Sequence, residues 1–263
     1  MRLSVLDHGH RLRARLFFRA TGRDTPDIVR MLLYRPDFFS RALLAVTAPA
    51  MRGPSFWTAG EREYLAMRTA QLHQCPFCVD SHAELTRIAG NGEITPEDPS
   101  SARPELRAVR AFLDSTQTPD RVGRVTEVPR AAVEEALRVD LVWNVVNRIA
   151  NAFGFVLRGD QVHSGTRALH RFGYRFPGFL LAGGAPEDDP IEALREVVRR
   201  TPVGDDVKFY AALVRNASYR VTDEDFDRLR AAGHSEDEIF ELTAATSVDA
   251  ALRSYDAGMR ALA

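Results

Sequence analysis

The sequence predicts an all-α protein. Apolar residues recur at helical spacing along most of the 263 residues, no convincing set of alternating strands is present, and no Gly-rich phosphate loop interrupts the pattern. Helix punctuation agrees: Pro, Thr and Ser open the periodic segments and Gly closes them. Apolar residues make up 45% of the chain, enough to bury a core.

Taken in order, Leu12 to Phe18 is amphipathic and a second helix fits Pro26 to Leu33. Pro36 can start a third, running through Phe38, Phe39, Leu43 and Leu44 to Met51 before Gly53-Pro54-Ser55 breaks the chain. Thr58-Ala-Gly-Glu61 reads as a capping box, in which the Thr hydroxyl takes one amide and Glu61 reaches back to another. That reading leaves Glu63 free on the same helix. The next helix begins at Pro76 and stops at Gly90-Asn91-Gly92. Residues 93–103 read as loop, 105–114 as helix, and Val128-Pro129 opens a long helix reaching Phe155, closed by Gly154 or Gly159. Shorter helices are expected at 161–171 and 174–182.

Gly183-Gly-Ala-Pro-Glu-Asp-Asp189 is the best linker, dividing a domain at 1–182 from a helical tail at 190–263 packed on it. The tail reads as helices at 190–200 and 205–217, then one capped by Thr222 and ending at Gly233, then one capped by Ser235 and reaching Leu262. The order cap, helix, Gly, cap, long helix echoes residues 126–157, so the tail could be a degenerate repeat without cysteines.

Charge excludes some functions. The formal net charge is −1, carried on the basic side by Arg with Lys208 as the lone lysine, so no global pull toward nucleic acid or a membrane surface is expected. Arg11, Arg13 and Arg15 break the apolar run near the N-terminus, and no apolar run reaches the roughly 20 residues of a membrane span. A soluble cytoplasmic protein is expected, and there a close cysteine pair points to catalysis or metal binding before a structural staple.

The chemistry concentrates in Gln74-Cys-Pro-Phe-Cys-Val-Asp-Ser-His82, which holds both cysteines of the chain. Pro76 suits the first helical position and pushes Cys75 out of the α region, placing Cys75 at the N-cap and Cys78 in the first turn. The positive end of the helix and its unpaired amides can favour a thiolate there. His82 follows Cys78 by four residues, so both lie on one face and His82 can take the thiol proton. Glu63, twelve residues before Cys75, can orient the imidazole. Cys78 would then attack and Cys75 resolve.

Other readings stay open. Cys75, Cys78 and His82 could ligate zinc with His73 or Glu63 as the fourth ligand, or the cysteines could be buried and inert. A c-type haem site needs His where Val79 stands, and a thioredoxin-like site needs a preceding strand. His73 reads as a surface or helix-end residue, and His8, His10, His163, His170 and His234 as solvated helix positions. Asn144, Asn147 and Asn151 share a helical stripe that reads as buried polar packing before substrate contact.

The runs Gly53-Pro-Ser-Phe-Trp-Thr-Ala-Gly-Glu-Arg-Glu63 and Cys75-Pro-Phe-Cys78-Val-Asp-Ser-His82, with Trp143-Asn-Val-Val-Asn-Arg-Ile-Ala-Asn-Ala-Phe-Gly154, resemble the alkylhydroperoxidase D-like, carboxymuconolactone decarboxylase superfamily. Arg35-Pro-Asp-Phe-Phe39 is similar to its peroxidase-related branch, and the likeness covers residues 25–160. The resemblance implies a helical bundle assembling as a homo-oligomer, dimer or trimer, and reduction of small alkyl hydroperoxides by a Cys75–Cys78 redox pair. It makes Cys78 the peroxidatic thiol, Cys75 its partner, and Glu63 and His82 the proton relay. It implies no metal, haem or other cofactor, with a dithiol protein, dihydrolipoyl or thioredoxin-like, as reductant. Phe77 stands where some members carry a relay His. The alternatives to this peroxidase are a non-redox enzyme of the decarboxylase type and a redox-sensing interaction protein.

Overall fold

The computed structural model describes residues 1–21, 25–181 and 189–263. Among them the fold is all-helical, with no strand. The expected linker lies outside the described residues except for Asp189, whose carboxylate accepts from the Ile191 and Glu192 amides and caps the helix that follows.

Three short helices open the chain: α1 (Val5–His8), α2 (Leu12–Thr21) and α3 (Asp27–Tyr34). Pro36 does start the next helix, but its first turn, Pro36–Ser40, is wound as a π-helix before α4 (Arg41–Arg52) continues. α5 (Ala59–Leu72) carries the expected capping box, with the Glu61 amide donating to Thr58 Oγ1 and the Thr58 amide to Glu61 Oε2. α6 (Pro76–Gly90) runs antiparallel to α5, because only residues 73–75 join them. Gly60 sets how closely they pack: a Cβ there would fall 2.5 Å from the Gly90 Cα. Two glycines facing one another let two backbones meet where side chains would hold them apart.

α7 (Pro104–Thr116) and the long α8 (Arg130–Phe153) follow. Gly154 ends α8 in the left-handed region (φ 67°), which a glycine enters without strain. α9 (Gln161–Phe172) lies against α6. Of the helix expected at 174–182, the described residues 174–181 do not form one: Gly173 and Tyr174 both turn left-handed (φ 59° and 63°), and among the described residues only a short 3₁₀ turn, Gly178–Leu180, follows. Pro177 lacks the amide a continuing helix would need.

The tail forms α10 (Pro190–Arg200), α11 (Lys208–Ala217), α12 (Asp223–Ala231) and α13 (Glu236–Ala261), with capping boxes at Thr222 and Ser235 as the residue types imply. α13 lies along α8, and α10 bridges α4 and α13. One apolar cluster runs from Leu3 through the α5–α8 contacts to Tyr255, so both segments share a core. Phe240 of α13 is its aromatic hub, stacked on Phe153 (5.8 Å between centroids) and set edge-on to Tyr34. Among the described residues no helix is long and apolar enough to cross a membrane.

Candidate functional site

The connection between α5 and α6 is a Schellman motif. The Cys75 amide donates to the Ala70 carbonyl and the Gln74 amide to the Gln71 carbonyl, which requires a left-handed residue between them. That residue is Gln74 (φ 50°) rather than glycine, so the chain holds some strain one residue before the thiol pair. Cys75 is the N-cap of α6 and Pro76 its first helical residue, as the Cys-Pro order implies.

Cys75 and Cys78 are free thiols, both 1% exposed. The expectation of a stabilised Cys78 thiolate is not met in this state. Burial pushes the Cys78 thiol up, and the hydrogen bond and charge of Cys75 push it further. The helix start cannot offset this, since the Cys78 and Val79 amides both donate to the Cys75 carbonyl (3.1 and 2.9 Å).

One turn beyond Cys78, His82 is 2% exposed and its Nδ1 lies 2.7 Å from Glu63 Oε2. Its ring sits edge-on against the Trp143 indole of α8, with centroids 3.9 Å apart. Glu63 is therefore not free. It is wholly buried and also accepts from Arg52 Nη2 (2.5 Å) and from the Tyr174 hydroxyl (2.9 Å to each oxygen). Burial alone would raise the Glu63 carboxyl, but the hydrogen bonds and charges of His82 and Arg52 overcome it and hold the group below its ordinary value. Tyr174 is driven well above the usual tyrosine range by burial and by the Glu63 charge, so it remains a donor.

The fold thus brings together Glu63, His82, Cys75 and Cys78 on one hairpin, as their spacing suggests. Sequence reasoning missed three partners: Arg52 at the end of α4, Tyr174 beyond α9, and Trp143 as the wall behind His82. Arg52 is aimed by its neighbour Arg62, whose Nη1 binds the carbonyls of Ala50 and Gly53 and ties the end of α4 to α5. Tyr174 reaches Glu63 because of the left-handed Gly173-Tyr174 turn, and its ring lies under the Arg52 guanidinium (5.1 Å). The Gly after α9 was a readable stop signal; where the next side chain would land was not.

A second buried polar network adjoins the hairpin. His73 caps α5, and its Nε2 lies 2.6 Å from Asn144 Oδ1, which also accepts from Arg148 Nη1 (2.6 Å). Asn144 Nδ2 donates to Asp140 Oδ2 (2.6 Å), and Thr69 Oγ1 to Asp140 Oδ1 (2.7 Å). Burial and then Arg148 lower His73 to about 3, so it is neutral, while burial raises Asp140 to about 7. Asn151 Nδ2 donates to the His73 carbonyl (2.8 Å), anchoring the turn before Cys75 to α8. His10 is a correction: it is buried at 5% exposure, its Nε2 lies 2.8 Å from the Arg30 carbonyl, and burial lowers its pKa. Its place among Phe18 and Tyr34 makes it a core residue rather than a solvated one. His163 and His234 do stay at the surface, each beside a carboxylate, Glu84 and Asp206.

Among the described residues no group of three or more His, Cys, Asp or Glu side chains is placed to hold a metal ion. Both proposed fourth zinc ligands are turned elsewhere, His73 to Asn144 and Glu63 to Arg52 and Tyr174. No family model, curated protein or solved structure matches this chain.

Proposed function

We propose that this chain is a thiol-dependent peroxidase of the alkylhydroperoxidase D-like kind, reducing small alkyl hydroperoxides and recycled by an external dithiol. The observation that carries the reading is the buried Glu63–His82 pair one helical turn beyond two free, adjacent thiols. Residues that only packed a helix interior would not combine a fully buried carboxylate, an imidazole and two reduced cysteines.

With Nδ1 held by Glu63, His82 has Nε2 to exchange a proton. The neutral resting thiol makes that base necessary: His82 takes the Cys78 proton as the thiolate attacks the terminal oxygen of the hydroperoxide. The S–O bond forms as the O–O bond breaks, and the leaving alkoxide takes the proton from His82 and departs as alcohol. Cys75 then attacks the Cys78 sulfenic acid, forming the disulfide and releasing water. A dithiol such as a dihydrolipoyl or thioredoxin-like protein reduces the disulfide by exchange and is itself oxidised. Free thiols suit a reducing, cytoplasmic setting. Exposed Leu12, Leu16, Phe172 and Phe179 give apolar surface for assembly as a dimer or trimer.

The test is peroxide consumption with a dithiol, compared between wild type, Cys78→Ser and Cys75→Ser. Cys78→Ser should be inactive and Cys75→Ser should turn over once; full activity in Cys78→Ser overturns the assignment. A raised thiol pKa predicts that iodoacetamide alkylation of Cys78 keeps rising above pH 8.5, and a plateau below pH 7 would refute the neutral resting thiol.

A further inference from the structure

Asn147 of α8 is wholly buried, and neither its Nδ2 nor its Oδ1 has a hydrogen-bond partner. Other orphaned buried polar atoms, such as Ser40 Oγ and Thr246 Oγ1, are single atoms; here a donor and an acceptor on one carboxamide stand empty together. A buried amide left this way is unfavourable, and such groups in folded proteins call for an explanation beyond packing.

The position of Asn147 supplies one. Trp143, Asn147 and Asn151 are spaced by four along α8, each step advancing about 6 Å and turning about 40°, so Asn147 lies between the other two on one face. Both flanking residues touch the α5–α6 hairpin: Trp143 packs on the His82 ring, and Asn151 donates to the His73 carbonyl. The stretch between those two contacts in the chain is the one bearing Cys75 and Cys78. The middle residue of the stripe thus lies on the same face of α8, between the two contacts that bracket the segment bearing the buried thiols.

Resting on the peroxidase reading, we propose that the Asn147 carboxamide holds the reacting oxygen of the hydroperoxide against the thiol pair. The chemistry matches both halves of the amide. A terminal hydroperoxide oxygen carries one hydrogen, which Asn147 Oδ1 accepts, and lone pairs, to which Asn147 Nδ2 donates. As the O–O bond breaks that oxygen passes to Cys78, and the Nδ2–H stays in place to hold the sulfenic oxygen until Cys75 displaces it as water. Asn147 exchanges no proton or electron; it binds and orients.

The experiment uses the full-length reduced protein as wild type, Asn147→Leu and Asn147→Ser. Two rates are read at Cys78: oxidation by hydrogen peroxide or tert-butyl hydroperoxide, and alkylation by iodoacetamide, which needs no bound oxygen. Thermal melting is recorded beside them. Asn147→Leu should slow oxidation by roughly 100-fold, the scale of losing a positioned donor at a reacting oxygen. Asn147→Ser, which keeps one hydroxyl, should fall between. Alkylation should change by less than about two-fold, and the melting temperature should hold or rise, since an unsatisfied amide is removed. Oxidation of Asn147→Leu at the wild-type rate overturns the proposal, as does a parallel fall in both rates, which would assign Asn147 to packing. If Leu does not fit the site, Asn147→Ser decides alone by the same two ratios. A wild type that peroxide does not oxidise at Cys78 sinks the peroxidase reading and this inference with it; an oxidised wild type with an indifferent Asn147 sinks only the inference.

Discussion

Replacing Glu63 by Gln tests the centre of the site with little change of shape. Three side chains donate to this carboxylate: His82 at 2.7 Å, Arg52 at 2.5 Å, and the Tyr174 hydroxyl at 2.9 Å to both oxygens. Gln offers one oxygen, and its amide hydrogens face donors. Removing one partner of a buried ion pair costs about 3–5 kcal/mol, because the other charge stays buried alone. The Arg52 side chain retains 15% exposure, so water can reach part of it, and the lower end, about 3 kcal/mol, is expected. Urea unfolding at pH 7 of wild type and variant, with equal slopes, gives the difference directly. The sign with pH also follows. Glu63 is held below its ordinary value when folded, so its stabilisation is full above the unfolded pKa of about 4.3 and is lost as pH falls through the folded value. The gap between wild type and Glu63→Gln should therefore close in acid. A difference under about 1 kcal/mol, or one unchanged from pH 7 to pH 3, would refute the claim that this carboxylate is a buried, charged hub.

Tyr174→Phe removes one hydroxyl from the same hub and leaves the ring under Arg52; a loss of about 1–2 kcal/mol in urea unfolding is expected, and none would mean that the bonds to Glu63 contribute nothing. Gln74→Gly places glycine at the left-handed position of the Schellman turn and should raise stability by about 0.5–1 kcal/mol in thermal or urea unfolding, whereas destabilisation would show that Gln74 is not strained. Asp140 has a folded pKa of about 7, above its unfolded value of about 3.9, so between those two values the folded state binds the extra proton and stability falls as pH rises. Asp140→Asn should remove up to about 1.4 kcal/mol per pH unit of that slope, and identical slopes in wild type and variant across pH 4–7 would exclude a raised Asp140.

Local chemistry wrote much of this protein into its sequence. Helical periodicity, the capping boxes at Thr58, Thr222 and Ser235, and the stop signals at Asn91 and Gly154 depend on residues within a few positions of one another, and they could be read directly. So could the hairpin that sets Glu63 beside His82, because Cys75-Pro76 fixes where one helix ends and the next begins, and i,i+4 spacing puts Cys78 and His82 on one face. What tertiary structure alone decided depends on burial and on residues far apart in the chain. Arg52 and Tyr174 reach Glu63 from 11 and 111 residues away, and the route for Tyr174 is a left-handed turn where the periodicity suggested a helix. The state of the thiols reversed for the same reason: a helix start favours a thiolate only where its amides are open and water is near, and here the Cys75 carbonyl takes the Cys78 and Val79 amides while the core excludes solvent. His10 differs from its surface-like pattern because a sequence shows which face a residue shares, but not what that face meets.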